Sequence, residues 1–255
     1  MANVFVTGSV DGIGRQTAQM LVAQGHRVVL HARSEERARV GLAAVPGAAG
    51  VAIGELASLS QTRDLAKSLA GEHFDAIVHN AGVGGSGRRQ TTEDGLERIF
   101  QINVLAPYVL TALMPLPARL IYLTSGMASS GVIDLSDLQR ERRRWDATGA
   151  YCDSKLADVA LALAMARRYP RVTSTAVCPG WVRSRMGGPS APTDLRTGAA
   201  TQVWLAAGED PEALHSGRYM RHMRVLEIPA PAADVDLQDG LLAACAELSG
   251  ARLPK

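Results

Sequence analysis

The stretch Asn3-Val4-Phe5-Val6-Thr7-Gly8-Ser9-Val10-Asp11-Gly12-Ile13-Gly14 decides how this chain is read. A short β-branched and aromatic run gives way to three glycines, and apolar residues at helical spacing follow to Gln24. Strand, tight turn and helix succeed one another. Glycines belong where backbone turns sharply and meets a ligand closely, and the N–H groups opening the helix then face that ligand. A diphosphate fits such a turn. A glycine-rich turn without a ligand is the plain alternative, so the rest of the chain must decide.

Outward from this stretch the alternation repeats. Strands are expected over 3–7, 27–32, 50–54, 75–79, 119–124 and 172–178, and helices over 12–24, 35–42, 58–69, 92–113, 151–168, 195–206 and 236–249. That is the pattern of an α/β fold: a single-domain, Rossmann-like, doubly wound parallel sheet of about seven strands with helices on both faces. One dinucleotide-binding and catalytic domain is expected over 1–255. Two insertions, 126–148 and 180–208, follow strands at their carboxyl ends, where open α/β sheets bind ligands, and are expected to form the substrate rim.

Composition narrows the function. With 255 residues, 47% hydrophobic and only 4% aromatic, alanine, valine and leucine must fill a substantial core. A net charge of +2, well interspersed, excludes the basic field expected of a nucleic-acid or membrane-surface binder. The densest basic run, Arg140 to Arg144, holds Glu141 and precedes Trp145, and reads as a solvated helix or loop. Cys152, Cys178 and Cys245 lack CxxC spacing, which points to reduced thiols and a cytoplasmic protein. The histidines show no metal-ligand spacing, so no metal is expected. No targeting segment or run of ~18 apolar residues occurs.

The second informative stretch is Ala150-Tyr151-Cys152-Asp153-Ser154-Lys155. On a helix, residues four apart share a face, and an ammonium there favours the phenolate of a tyrosine whose ordinary pKa is ~10. A phenol tuned in this way is a general acid or base. The same spacing also arises on solvated faces with a snorkelling lysine.

Taken together, these stretches resemble the short-chain dehydrogenase/reductase family. The glycine turn has that family's spacing, which implies cofactor contacts from Gly8, Ser9, Asp11, Gly12, Ile13 and Gly14. His79-Asn80-Ala81-Gly82 resembles its Asn-Asn-Ala-Gly element beside the adenosine ribose, with His79 replacing the first asparagine, and Asn80, Ala81 and Gly82 implied as contacts. Glu55 and Leu56 stand where the family has an aspartate and an apolar residue near the adenine. Asn103 resembles the helix asparagine whose backbone carbonyl helps hold a relay water, and Ser125 matches the catalytic serine. Tyr151 and Lys155 match the YxxxK pair. Pro179, Gly180, Val182 and Ser184 match the Pro-Gly segment, with Ser184 where a threonine usually binds the nicotinamide carboxamide.

The resemblance implies an NAD(P)-dependent oxidoreductase with catalytic Asn103, Ser125, Tyr151 and Lys155. Hydride would pass between nicotinamide and a small-molecule carbonyl or secondary alcohol, with Tyr151 as general acid or base and Lys155 also holding the nicotinamide ribose. A non-catalytic dinucleotide-binding regulator or scaffold is the competing class. A pure binding module has no need of a tuned phenol.

Ser125 and Tyr151 lie 26 positions apart, about twice the usual spacing, and the intervening stretch resembles that of retinol-dehydrogenase-like and carbonyl-reductase-like members. Ser216-Gly217-Arg218-Tyr219 continues the likeness. NADP is expected over NAD: Ala32 ends the second strand where NAD-specific members carry an acid, and Arg33 can pair with a 2′-phosphate. Asp11 puts negative charge in the same turn, offset by Arg15 unless that residue faces solvent. Met127, Trp145, Trp181 and Met186 either line an apolar substrate site or pack the insertions onto the body. Members often dimerise through the helices carrying Asn103 and Tyr151, so a homodimer is a further expectation.

Overall fold

Strand β1 (Asn3–Val6) is apolar on both sides: Phe5 enters one core, while Val4 and Val6 enter the other. Such two-faced burial marks a central parallel strand. The computed structural model, which describes residues 1–85 and 87–254, continues with α1 (Gly12–Ala23), β2 (Arg27–Ala32), α2 (Glu35–Ala44), β3 (Gly50–Ile53), α3 (Leu59–Ser68) and β4 (Ala76–His79). Next come α4 (Arg98–Phe100), α5 (Ala106–Leu113), β5 (Arg119–Leu123), α6 (Ala147–Arg168), β6 (Thr173–Val177) and α7 (Leu195–Ala207). The chain closes with β7 (Arg218–Arg221), β8 (Arg224–Val225), α8 (Ala230–Ala233) and α9 (Val235–Ser249).

The strands pair in the order β3-β2-β1-β4-β5-β6-β7-β8, parallel throughout except for the antiparallel β8. About seven strands were expected; β8 adds a two-residue edge to make eight. The order reverses between β1 and β4, which opens a crevice at the carboxyl ends of the strands. Ala18 and Leu21 of α1 and Val203 and Leu205 of α7 cover one face of the sheet. Helices α3, α5, α6 and α9 cover the other.

Two expectations are corrected. The helix expected over 92–113 begins only at Arg98, because Gly95, at φ +77°, closes a turn in which Thr92 N–H reaches the Leu96 carbonyl at 2.9 Å. Between α4 and α5 the rod widens into a π-helical stretch, Gln101–Leu105, centred on Asn103. The helix expected over 195–206 is α7, which closes the segment 180–208 and packs against α1. The arginine run is not freely solvated. Arg140 pairs with Asp153 of α6 at 2.7 Å, and Arg143 pairs with both Asp137 and Asp153.

The helices expected to dimerise are already covered. Every residue of α6 from Cys152 to Met165 is buried, and so is every residue of α5 except Leu113, with α8 and α9 packing on α6 and α9 on α5.

Candidate active site

The glycine turn is shaped by three different demands. Gly8 and Gly12 have φ of +62° and +53°, in the left-handed region that favours glycine. Gly14 is helical, but a Cβ there would lie 2.3 Å from Asn80 Nδ2 and 2.4 Å from the Gly8 carbonyl. A Cβ on Gly12 would meet only Ser184 Cβ, at 4.0 Å. The space beside Gly12 is therefore an open slot between the first turn and the segment after β6. Asp11 precedes α1 as its N-cap without using its carboxylate there, so the first N–H groups of that helix stay available to an anion.

Neighbouring side chains hold this turn. Thr7 Oγ1 accepts from Asn80 N–H and Ala81 N–H, both at 2.9 Å, which ties β1 to β4. Asn80 Nδ2 donates to the Thr7 carbonyl at 2.8 Å, and its buried Oδ1 has no protein partner. His31 Nδ1 accepts from Gly8 N–H at 2.9 Å while Nε2 donates to the Gly54 carbonyl at 2.9 Å. Burial lowers the His31 pKa, so the ring stays neutral and can accept. Ser9 points into the sheet, where its Oγ accepts from His31 N–H at 2.8 Å. Ile13, in the first turn of α1, packs against the core. Asp11 is ion-paired with Arg37 rather than Arg15. Arg33 is exposed and has no ion-pair partner among the described residues.

Other implied contacts divide. Leu56 is a core residue, and Glu55 folds back so that its Oε1 accepts from Ala57 N–H at 3.1 Å. Gly180, at φ +87°, follows Pro179. Val182 is buried and pairs with Thr193, which brings Ser184 toward the glycine turn. Ser184 Oγ accepts from Gly187 N–H at 3.1 Å.

The catalytic candidates converge from three elements. Lys155 Nζ lies 5.8 Å from the centroid of the Tyr151 ring on α6, and 3.4 Å from the point where a Gly82 Cβ would sit. The ammonium donates to the Leu123 carbonyl at 2.8 Å and to Asp158 Oδ2 at 2.7 Å. Burial pulls the Lys155 pKa down, but Asp158 and Tyr151 outweigh it and leave a net rise, so the group stays charged. Burial pushes Asp158 up, to about 6, against the opposing pull of Lys155. Asn103 fills its side chain with structure: Oδ1 accepts from Val83 N–H at 2.8 Å, and Nδ2 donates to the Val83 carbonyl and to Ser154 Oγ. Ser125 follows β5, half-buried, with its carbonyl held by Tyr219 O–H at 3.0 Å.

Thr7, His31, Arg37 and Asp158 were not identified from the sequence. The first three act through partners distant in the chain. Asp158 alone had a local signal, three residues beyond Lys155 on the same helix face.

Both insertions expose apolar side chains. Met127, Trp181 and Met186 are 41%, 57% and 57% exposed, and the Trp181 indole N–H is fixed to the Gly187 carbonyl at 2.8 Å. Trp145 instead donates its indole N–H to the Gly87 carbonyl at 2.9 Å. No group of three or more potential metal-ligating residues gathers among the described residues, and no helix there is long and apolar enough to cross a membrane.

Comparisons with known proteins show the family and the fold. The short chain dehydrogenase family model matches residues 2–194. The chain is 39% identical to the short-chain dehydrogenase chyC of Penicillium rubens, over 100% of both proteins. It is 34% identical to human retinol dehydrogenase 13, over 72% of this chain and 60% of that protein. Among solved structures, a blue fluorescent protein from a metagenomic library, in complex with NADPH, superposes with a TM-score of 0.69 at 24% identity, over 86% of this chain and 95% of that one.

Proposed function

The chain belongs to the short-chain dehydrogenase family, and on that premise we propose that Tyr151, Ser125, Lys155 and Asn103 serve carbonyl reduction with NADPH. The family assignment makes it an NAD(P)-dependent oxidoreductase acting on a carbonyl or the corresponding alcohol. The carrying observation is the Lys155 ammonium, buried against the Tyr151 ring and facing Gly82 at the switch point of the sheet.

The residues present fit a dinucleotide. Gly12 borders an open slot, the first turn of α1 offers free N–H groups, and the buried Asn80 Oδ1 lacks a partner. When bound, the nicotinamide supplies hydride to the substrate carbon. The Tyr151 phenol donates the proton to the developing alkoxide, and the Ser125 hydroxyl hydrogen-bonds that oxygen and holds it in place. Lys155 fixes the phenol and offers its remaining hydrogen to a ribose hydroxyl. The Asn103 side chain is committed to Val83 and Ser154, so only its backbone carbonyl, in the π-helical stretch, is left for a relay water.

NADP is favoured over NAD by the missing acid at Ala32, by the unpaired Arg33, and by Arg37, which neutralises Asp11 at the same edge. The NADPH bound to the blue fluorescent protein is in keeping with this choice. Segments 126–148 and 180–208 form the rim of a single domain over 1–255, and Met127, Trp181 and Met186 favour a substrate with apolar surface beside its carbonyl. Three buried free thiols suit a cytoplasmic location.

The test is NADPH oxidation with a panel of aldehydes, ketones and quinones. Tyr151→Phe should lose ~10² to 10⁴ in rate while binding NADPH as wild type does. Undiminished turnover in that variant overturns the assignment.

A further inference from the structure

Lys155 has more partners than contact with a cofactor requires. Of the three hydrogens on its ammonium, one goes to the Leu123 carbonyl and one to Asp158 Oδ2, which leaves one for everything else. Tyr151, Lys155 and Asp158 stand at i, i+4 and i+7 on one face of α6, with Lys155 5% and Asp158 2% exposed. The other ionisable groups against this face carry no charge. Burial pushes the Tyr122 phenol of β5 up, and it pushes His79 of β4, stacked on Tyr122 at 4.8 Å, down to about 3. Asn103 and Thr111, from the helical rod alongside, do not ionise. Lys155 and Asp158 are thus a closed ion pair with Tyr151 at its outer end.

We propose that Asp158 is a positioning residue of the proton-transfer site: it anchors the Lys155 ammonium and offsets its charge, so that Tyr151 meets a bound carbonyl as the neutral phenol. The inference rests on the role proposed for Tyr151. An unpaired buried ammonium favours the phenolate, which is the base that alcohol oxidation needs. A paired one orders the phenol without ionising it, leaving the acid that carbonyl reduction needs. Asp158 thereby biases the site toward reduction.

The experiment is an ultraviolet titration of phenolate in the cofactor-free protein. Tyr151 is isolated by subtracting the matching Tyr151→Phe protein, in wild-type, Asp158→Asn and Asp158→Glu backgrounds. Asn keeps the shape and an accepting oxygen but removes the charge; Glu restores the charge. Seven residues of helix separate the two groups by about 10 Å, and at an effective dielectric of about 20 the lost repulsion lowers the Tyr151 midpoint by about one pH unit in Asp158→Asn. Asp158→Glu should stay close to wild type. An unchanged or higher midpoint in Asp158→Asn, or a Glu variant that shifts as Asn does, overturns the proposal. Should Asp158→Asn not fold, Asp158→Ser removes the same charge with a smaller side chain and is held to the same result. The titration needs no substrate, so the two failures are distinguishable: an unmoved midpoint overturns the part played by Asp158, whereas inactivity toward every carbonyl overturns the role of Tyr151 on which it rests.

Discussion

Replacing Gly12 with alanine separates the glycine turn as a cofactor site from the glycine turn as mere architecture. The new methyl meets only Ser184 Cβ, at 4.0 Å, so the folded protein suffers little beyond the φ of +53°. A left-handed alanine costs ~1–2 kcal/mol, which lowers Tm by about 2–8 °C in a protein of this size. Binding should suffer far more, because the methyl fills the slot beside the free N–H groups of α1. Hydrogen bonds to a charged group contribute ~1.5–3 kcal/mol each, so losing two weakens NADPH binding by about a hundredfold or more. The assay is NADPH fluorescence titration beside thermal unfolding with and without cofactor; at 100 times Kd a ligand adds about 2.7 kcal/mol of stability, and the variant should show no more than about 0.4 kcal/mol at the same concentration. Gly14→Ala is the contrast. Its methyl would run into Asn80 Nδ2 and the Gly8 carbonyl, so it should lose stability even without cofactor, by about 1–3 kcal/mol. A Gly12→Ala protein that binds NADPH within threefold of wild type refutes the reasoning.

Three further outcomes are expected. Arg33→Ala should weaken NADPH by about ten- to a hundredfold and leave NADH nearly unchanged, as measured by competitive titration, because one charge-assisted bond to a 2′-phosphate is lost. Burial raises the Asp137 carboxyl, but N–H groups of Arg142, Glu141 and Arg143 and the Arg143 guanidinium overcome this and hold it down at about 2, below its usual 3.8. A depressed carboxylate stabilises the fold above 3.8, and that contribution disappears as pH falls through about 2; Asp137→Asn should therefore flatten the acid limb of Tm against pH across that window. Light scattering should find a monomer, since α5 and α6 are already enclosed by their own chain.

Much of this was legible because the informative signals are local. The six expected strands appear within a residue or two, since runs such as Val4-Phe5-Val6 and Leu120-Ile121-Tyr122 are buried on both faces and leave no ambiguity of period. Tyr151 and Lys155 do share a helix face. What escaped depends on tertiary partners or on turns without a signature. Strand β7 carries two arginines among four residues and is a strand because β6 pairs with it. The π-helical widening at Asn103 has no composition of its own, and nothing within Arg140 to Arg144 announces Asp153. The ion pair of Arg37 with Asp11, and His31 beneath Gly8, join residues more than twenty positions apart.

Direct hydride transfer coupled to the Tyr151 proton is the central claim, and isotope labelling tests it most directly. NADPH carrying deuterium at nicotinamide C4, in each of its two stereoisomers, is turned over with the carbonyls of the panel, and the alcohols are analysed by mass spectrometry. One stereoisomer should place its deuterium on the carbinol carbon, and Tyr151→Phe should form almost none of that product. Alcohol free of label from both stereoisomers, or labelled alcohol formed equally fast by Tyr151→Phe, would contradict the account.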